Sequence, residues 1–220
     1  MKKNHFITAV IWVLLFTTCK KEETPATTTP PPPVPTEKIL EVKTSFGNMY
    51  IWLYKETPLH RANYLGLADT NFFDSTSFHR IVKNWVIQGG DINSKIDDDP
   101  YNDGSGSLGY TIPAEFDTSI THVYGAVGAA RLGDDVNPEK ASDASQFYIV
   151  VNATGDHTLD NNYTVFGYVM KGMDVAITIV NQPKISGTSH PLTDIKMDVN
   201  ILEKTLDEIK AEYNYEPHLQ

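Results

Sequence analysis

The sequence predicts a mainly β domain, a closed barrel of about eight strands accompanied by two helices. Short apolar and β-branched runs recur between residues 38 and 203. Glycine-containing turns separate many of these runs, and one stretch alone is clearly helical in its spacing. Closure into a barrel removes the unpaired edges that an open sheet would leave exposed. We find no internal repeat.

The first predicted elements are two strands in "ILEVKTSFGNMYIWLY" (39–54), joined around Gly47-Asn48. Glycine and asparagine are typical of a tight hairpin turn. The second run places apolar residues on one face and aromatic residues on the other, namely Met49, Ile51 and Leu53 against Tyr50, Trp52 and Tyr54. Because neither face is polar, we expect this strand to be covered on both sides.

The stretch "ETPLHRANYLGLADT" (56–70) predicts a helix. Thr57 is a suitable N-cap, and Pro58 would occupy the first helical position, where its missing N–H costs nothing. The helical spacing predicts that His60 and Arg61 face solvent. Two further stretches stay open: "MDVAITIV" (173–180) is a second helix or an extended segment, and "EKTLDEIKAEYN" (203–214) is a short C-terminal helix or a frayed tail.

The remaining strands are predicted from β-branched and aromatic runs. The clearest are "SQFYIVV" (145–151), "YTVFGYVM" (163–170) and "DIKMDVNIL" (194–202). Polar residues 93–109 and the acidic segment 132–144 are predicted to be loops, with "YTIPAEF" (110–116) a short extended run between them.

The N-terminus predicts export and attachment to a membrane. Residues 1–18 combine basic residues with an apolar run that is too short to span a bilayer, which indicates a signal peptide. The single cysteine, Cys19, lies where cleavage would occur, so we expect it to be lipidated; an ordinary signal peptide with an incidental cysteine is the alternative. Residues 19–36, rich in proline and threonine, would form a tether, residues 37–205 the domain and residues 206–220 a tail. The expected location is the cell envelope.

The charge balance excludes one class of partner. Lys and Arg total 18 against 28 Asp and Glu, a formal net charge of -10. The basic pairs Lys2-Lys3 and Lys20-Lys21 lie near the N-terminus, outside the predicted domain. An acidic domain surface repels a phosphate backbone, so no nucleic-acid partner is expected.

Several catalytic chemistries lack the residues that they need. The chain has no Gly-x-Ser-x-Gly motif, and its seven histidines are scattered along the sequence. Metal sites require clustered ligands at fixed spacing, so we expect no metal and no cofactor. The acidic runs 97–99 and 133–135 are interpreted as solvated loop charge, with weak calcium binding as the alternative.

One stretch, "SFHRIVKNWVIQGGD" (77–91), resembles the signature of the cyclophilins, the peptidyl-prolyl cis-trans isomerases. Further blocks follow in the family's order: "YTIPAEF" (110–116), "AVGAAR" (126–131), "SQFYIV" (145–150) and "LDNNYTVFGYVMKGMDV" (159–175). The resemblance covers residues 38 to 203 and implies an eight-stranded antiparallel barrel capped by two helices. The start "CKKEE" (19–23) is similar to that of lipoproteins from the Bacteroidetes group.

The resemblance implies an isomerase that rotates X–Pro bonds in exported proteins without a covalent step. It assigns Arg80 and Gln88 as catalytic residues, with Arg80 donating to the proline nitrogen of the twisted amide. The implied substrate-binding residues are His79, Trp85, Val86, Ala130, Arg131, Gln146, Tyr148, Leu159 and Tyr163. A module that binds proline-containing segments with little turnover is the alternative, and a structural envelope protein acting through its tail is a third, weaker one. A monomer is expected.

The sequence departs from the family at several of these positions. Tyr148 places a hydroxyl where members usually carry Phe, which would shrink the pocket or hold a water. Trp85 replaces a Phe and enlarges the aromatic wall. Thr158 stands where cyclosporin-sensitive members have Trp, which predicts weak cyclosporin binding. The 132–144 loop is long and is predicted to tune substrate choice.

Overall fold

The computed structural model describes residues 34–96 and 103–217. The predicted signal peptide, Cys19, most of the tether and the acidic run 97–99 lie outside the described residues. The strands are β1 (Thr36–Thr44), β2 (Gly47–Leu53), β3 (Thr76–Ser77), β4 (Arg80–Val82), β5 (Val86–Gly89), β6 (Thr111–Ile112), β7 (Ala126–Ala129), β8 (Ser142–Asp143), β9 (Phe147–Val150), β10 (Val165–Lys171) and β11 (Lys196–Thr205). The helices are α1 (Pro58–Asp69), α2 (Asn93–Ile96), α3 (Met173–Val180) and α4 (Leu206–Tyr213), with a 3-10 turn at His157–Leu159.

Nine strands form one curled antiparallel sheet in the order β3-β11-β1-β2-β10-β7-β9-β5-β4, and β6 pairs separately with β8. The mainly β fold class is therefore confirmed, although the strand count and the closure differ from a closed eight-stranded barrel. The outermost strands, β3 and β4, are consecutive in the chain, and only Phe78 and His79 separate them. Residues 76–82 thus pair with β11 at one end and with β5 at the other, and the chain itself joins the two edges.

Gly89 allows these edges to approach one another. A Cβ atom at position 89 would lie 2.6 Å from Met197 Cε on β11 and 2.8 Å from the Ser77 carbonyl oxygen on β3. Both distances are shorter than van der Waals contact permits. A glycine in a strand commonly marks such a close approach of another backbone. Phe78, which is fully buried, packs edge-on against Phe147 inside the sheet, with ring centroids 6.0 Å apart.

The predicted first hairpin is confirmed, and its turn consists of Ser45 and Phe46. Thr44 pairs with Gly47, so Gly47 begins β2 and is not part of the turn itself. Its φ of +124° lies in the region that favours glycine, which explains why the turn ends at this residue.

The prediction that β2 is covered on both sides is also confirmed. Met49, Ile51 and Leu53 lie in the central apolar cluster enclosed by the sheet. Trp52 points to the opposite side and packs in a second cluster with Ile39 on β1 and with residues of α4.

The predicted helix is α1, and its buried side chains include Tyr64 and Ala68. Pro58 is at the start as expected, but the side chain of Thr57 makes no capping hydrogen bond. Glu115 supplies the missing cap, because its carboxylate oxygens accept from the backbone N–H groups of Leu59 and His60, each at 2.9 Å. A carboxylate is favoured at this end of a helix, where N–H groups lack partners.

The prediction that His60 faces solvent is wrong. Its side chain is fully buried, with Nδ1 2.7 Å from Glu115 Oε2 and Nε2 2.8 Å from Ser142 Oγ. Burial lowers the pKa of His60, and the neighbouring Glu115 carboxylate opposes that shift. A polar ring can be buried here because both nitrogens have partners.

The two ambiguous stretches are helices. In α3 the residues Val175, Ala176, Ile179 and Val180 are buried in the central cluster, as helical spacing requires. The segment 206–213, which the sequence assigns to a tail or a short helix, forms α4 with a capping box between Thr205 and Glu208. Among the described residues, no helix combines the length and the apolar character needed to cross a bilayer.

Candidate active site

Arg80 and Gln88 face one another across the β4–β5 ladder. Arg80 Nη1 donates to Gln88 Oε1 at 3.1 Å, and Gln88 Nε2 donates to Gln146 Oε1 at 3.0 Å. Gln146 Nε2 in turn donates to the carbonyl oxygens of Gly104 and Gly106, each at 3.2 Å. This chain of hydrogen bonds fixes the orientations of the Gln88 and Gln146 side-chain amides. The Gln88 oxygen therefore faces the guanidinium and accepts its hydrogen bond.

The Arg80 guanidinium carries a charge that no carboxylate neutralises within the described residues. Its central carbon lies 4.5 Å from the centre of the Trp85 ring, a distance suited to a cation–π interaction. The residue is half-buried, and burial lowers its pKa from the ordinary value. Because arginine stays protonated even so, the group remains a positioned donor with free N–H groups.

A pocket of about 110 Å³ adjoins this guanidinium. Its wall is built from strands β4, β5, β7 and β9, where Gln88 and Gly128 both pair with Tyr148. Nine of the eleven residues assigned to the site by resemblance line it together, namely Arg80, Trp85, Val86, Gln88, Ala130, Arg131, Tyr148, Leu159 and Tyr163.

The other two predicted residues lie beside the pocket. Gln146 lines an adjacent groove and reaches the pocket through Gln88. His79 directly precedes Arg80 in the chain, and only 5% of its surface is exposed. Burial lowers its pKa to about 4, with Asp91 opposing the shift and His190 adding to it. Cys19 lies outside the described residues.

We expect His79 to make the stability of the domain depend on pH. The unfolded chain takes up this proton near pH 6.5 and the folded protein only near pH 4, so the free energy of unfolding should fall as the pH drops below 6.5. The slope for one such group approaches about 1.4 kcal/mol per pH unit. Urea unfolding at pH 7, 6 and 5 measures it.

The matched comparison is between two histidine variants. His79→Gln cannot titrate and should give a shallower slope, although buried His60 and His122 still contribute because their pKa values are also lowered. His157→Ala removes an exposed histidine, and its slope, measured in the same way, is the reference for the loss of a histidine at the surface. An unchanged slope in His79→Gln would contradict the expectation.

The adjacent groove has a volume of about 360 Å³ and shares Gln88, Ala130 and Arg131 with the pocket. The 132–144 loop supplies part of its wall, including Leu132 and Val136, which are 69% and 66% exposed. The loop therefore borders the groove beside the pocket.

The side chain of Arg131, which lines both the pocket and the groove, is held in place by contacts with neighbouring residues. Nε donates to the Asn162 carbonyl oxygen at 2.7 Å, and Nη1 pairs with Asp134 Oδ1 at 2.6 Å. The guanidinium also lies 4.5 Å from the centre of the Tyr163 ring. Asp134 belongs to the acidic run 133–135, for which weak calcium binding was the alternative prediction, and it pairs with the Arg131 cation. Among the described residues, no three potential ligands cluster as a metal site would require.

Sequence reasoning missed the residues behind the aromatic wall. Trp85 Nε1 donates to Asp156 Oδ2 at 2.8 Å, and the Tyr148 hydroxyl lies 2.8 Å from Nε2 of His122, which is 1% exposed. The hydroxyl of Tyr148 therefore has a protein partner. The sequence does contain one indication of these residues. Trp85 carries an N–H and Tyr148 an O–H, and each such group needs a hydrogen-bond partner when it is buried.

Comparisons with known proteins find relatives of this chain. Residues 39–201 match the profile of the family described as cyclophilin type peptidyl-prolyl cis-trans isomerase/CLD. A peptidyl-prolyl cis-trans isomerase of Acinetobacter baylyi is 33% identical over 149 residues, which cover 66% of this chain and 73% of the relative. Another, isomerase CYP18-2 of Arabidopsis thaliana, is 30% identical over 168 residues, covering 74% of this chain and 91% of the relative.

Solved structures show the same fold. A cyclophilin-type isomerase of Cryptosporidium parvum superimposes with a TM-score of 0.65 at 23% identity, covering 77% of this chain and 99% of that one. The same protein in the presence of the dipeptide Ala-Pro superimposes with a TM-score of 0.64.

Proposed function

Because this chain belongs to the family of cyclophilin-type peptidyl-prolyl cis-trans isomerases, we propose that Arg80 catalyses rotation about X–Pro bonds whose proline ring occupies the neighbouring pocket. The observation that carries the proposal is the unneutralised guanidinium, oriented by Gln88 and Trp85 at the wall of a small aromatic-lined pocket. The Ala-Pro dipeptide present with the Cryptosporidium parvum protein supports proline-containing peptides as the substrate class.

The chemistry requires no bond to be made or broken. Rotation about a peptide bond has a barrier of about 18–20 kcal/mol because it disrupts amide resonance. In the twisted amide the proline nitrogen becomes pyramidal, and its lone pair is localised on that atom. An N–H of Arg80 can donate to that lone pair, which is not available in the planar ground state. An interaction that is stronger in the transition state than in the ground state is the condition for catalysis.

The surroundings of Arg80 suit this role. The side chains that line the pocket would hold the proline ring, so that rotation takes place on the side of the preceding residue; they are Trp85, Val86, Tyr148, Leu159 and Tyr163. Residues that precede the proline would lie in the groove lined by Ala130 and Gln146. Gln88 accepts a hydrogen bond from Arg80 and so keeps the guanidinium in place.

A protease-coupled assay on an Ala-Pro peptide tests the proposed activity. We expect the wild-type protein to accelerate cis-to-trans conversion well above the uncatalysed rate. If peptide binding is detected by calorimetry without any acceleration, the chain is a module that binds proline-containing segments and the catalytic proposal fails.

We further propose that the protein acts on exported proteins in the cell envelope, held on a membrane by lipid at Cys19. The support is in the sequence: a basic N-terminus, a short apolar run and a single cysteine, followed by a proline-rich segment. Several acyl chains, each burying about 0.8 kcal/mol per CH₂, would anchor the domain stably. The proline-rich segment would then act as a spacer between lipid and domain.

Cys19→Ser tests the anchor. Expressed from its full-length sequence in a bacterium that processes lipoproteins, the wild-type protein should partition with the membrane fraction, and the variant should be released from it. Metabolic labelling with a radioactive fatty acid should mark the wild-type protein alone. Equal labelling of both proteins, or equal partition without label, would contradict lipidation at this residue.

A further inference from the structure

Tyr148 is fitted into the pocket wall by a glycine on the neighbouring strand. Gly128 on β7 pairs with Tyr148 on β9. A Cβ atom at position 128 would lie 2.4 Å from Cζ of the Tyr148 ring and 2.5 Å from its hydroxyl oxygen. The ring therefore lies directly over the backbone of Gly128, a close approach that any larger residue there would prevent.

The hydroxyl end of this ring is bonded to a buried histidine. His122 Nε2 lies 2.8 Å from the Tyr148 oxygen, and His122 Nδ1 lies 2.7 Å from Asp160 Oδ1. The same carboxylate oxygen accepts from the backbone N–H of His122 at 2.8 Å. An ionised carboxylate can only accept hydrogen bonds, so the Nδ1 atom carries the proton and Nε2 is left as an acceptor. The Tyr148 hydroxyl consequently donates to His122.

This arrangement removes a donor from the pocket. A phenol has a single O–H group, and that of Tyr148 donates its hydrogen bond to His122. The indole N–H of Trp85 is likewise taken, by Asp156 at 2.8 Å. Trp85 and Tyr148 thus line the pocket without a free indole N–H or phenol O–H. Arg80, at the wall of the same pocket, keeps N–H groups available for a substrate.

We infer that His122 is a positioning residue, which holds the Tyr148 ring in place through its Nε2 atom and makes the binding of the proline ring depend on a neutral imidazole. The inference rests on the proposed peptide-binding role of the pocket. It does not require His122 to touch the substrate, and His122 is not among the residues that line the pocket.

The charged groups around this pair set the direction of the pH dependence. Asp160 and Asp156 favour the protonated form of His122, whereas His157 disfavours it, and the larger effect of burial lowers its pKa. Burial also raises the pKa of Tyr148, with Tyr163 and Asp156 adding to that shift and Arg131 opposing it.

At neutral pH the pair is therefore phenol and neutral imidazole. Protonation of His122 places an N–H on Nε2, so the phenol can no longer donate to it and must turn its own proton elsewhere. The expected result is weaker substrate binding as the pH falls below the ordinary histidine range.

The first experiment measures KM for an Ala-Pro peptide between about pH 4 and pH 8, which extends below the range in which an ordinary histidine titrates. The wild-type protein should show a rise in KM toward the acid end, while kcat changes little. Tyr148→Phe binds more weakly at neutral pH, because the ring has lost its anchor, but should show no acid rise. An equal acid rise in both proteins would overturn the inference.

The second experiment is a double-mutant cycle on KM. His122→Ala should raise KM about 2- to 10-fold in the wild-type background, the range expected for one hydrogen bond, and should have little further effect in the Tyr148→Phe background. His157→Ala is the matched control, since His157 is exposed and contacts the same Asp160 carboxylate at 2.9 Å. It should leave KM unchanged. Equal effects of His122→Ala in both backgrounds would show a merely structural role.

A spectroscopic readout keeps the inference testable if a variant fails to fold or the wild-type protein shows no turnover. Nitrogen NMR of the wild-type histidines should show the His122 ring protonated on Nδ1 and unprotonated on Nε2 at neutral pH. The opposite tautomer would overturn the inference. Calorimetric binding of the same peptide at both ends of the pH range replaces KM if turnover is absent, so that failure of the proposed activity and failure of this inference are distinguishable.

Discussion

Arg80→Ala should lower kcat/KM for an Ala-Pro peptide by about 10²- to 10³-fold, the loss typical when one preorganised transition-state donor is removed. The wild-type guanidinium is held by Gln88 at 3.1 Å and lies 4.5 Å from the Trp85 ring, so the replacement removes the donor while leaving the apolar pocket in place. The loss should therefore appear mainly in kcat. Peptide affinity, measured by calorimetry, should change by much less.

Two further variants sharpen this test. Arg80→Lys keeps the positive charge but loses the planar fork, so it should retain only a small part of the activity. Lys83→Ala removes an exposed cation from the adjoining β4–β5 turn and should be as active as the wild-type protein. Circular dichroism confirms that each variant folds. If Arg80→Ala turns over within about twofold of the wild-type rate, no donor of the strength assumed here acts at this position.

Ile209→Ala should lower the free energy of unfolding by about 2–5 kcal/mol, the usual cost of truncating a fully buried aliphatic side chain. Ile209 lies in α4 with no exposed surface and packs in the cluster that contains Ile39 and Trp52. Truncation would leave a cavity between the helix and the outer face of β1 and β2. Urea unfolding monitored by tryptophan fluorescence measures the change.

Lys210→Ala is the matched control for this helix. Lys210 follows Ile209 directly, but its side chain is 66% exposed and pairs with the equally exposed Glu216. Such surface substitutions usually change stability by no more than about 0.5 kcal/mol. Turnover of the folded Ile209→Ala protein should stay at the wild-type level, since α4 does not line the pocket. Equal stability of the two variants would contradict the packing role of α4.

The part of the site that the sequence could predict is the part carried by local strand pattern. Arg80 and Gln88 belong to one hairpin, so their separation along the chain nearly determines that they face one another. The strand that contains Tyr148 is equally predictable, because β-branched and aromatic runs indicate strands without any knowledge of their partners. The family resemblance then placed these elements in order.

The rest depended on contacts between residues distant in the chain. Helical spacing indicated the exposed face for His60, but Glu115 and Ser142, which allow it to be buried, lie 55 and 82 residues further on. The bond from Tyr148 to His122 likewise crosses 26 residues. No pattern in the sequence shows that a polar ring will find its partner at such a distance, and so the buried histidines could not be recognised in advance.

The α4 helix illustrates a weaker kind of failure. The aromatic face of β2 predicts that something covers it, and the stretch 203–214 is predicted to be a short helix or a frayed tail. Only the structure connects these two predictions. In it, Ile209 and Tyr213 of the helix pack in one cluster with Ile39 and Trp52 of the strands. The apolar face of β2 that carries Trp52 therefore already indicated that a further element, here α4, must cover it.

Arg80 stands on the short segment through which the two ends of the sheet meet. Its backbone is held on both sides, because residues 76–77 pair with β11 just before it and Arg80 itself pairs with β5, so the direction of its side chain depends on both pairings. A residue in a loop can move without displacing its neighbours, whereas Arg80, in a paired strand, cannot. Substitution of Thr76 or Met197, which pair with one another across β3 and β11, would consequently change the orientation of the Arg80 guanidinium without contacting it, and so lower the activity.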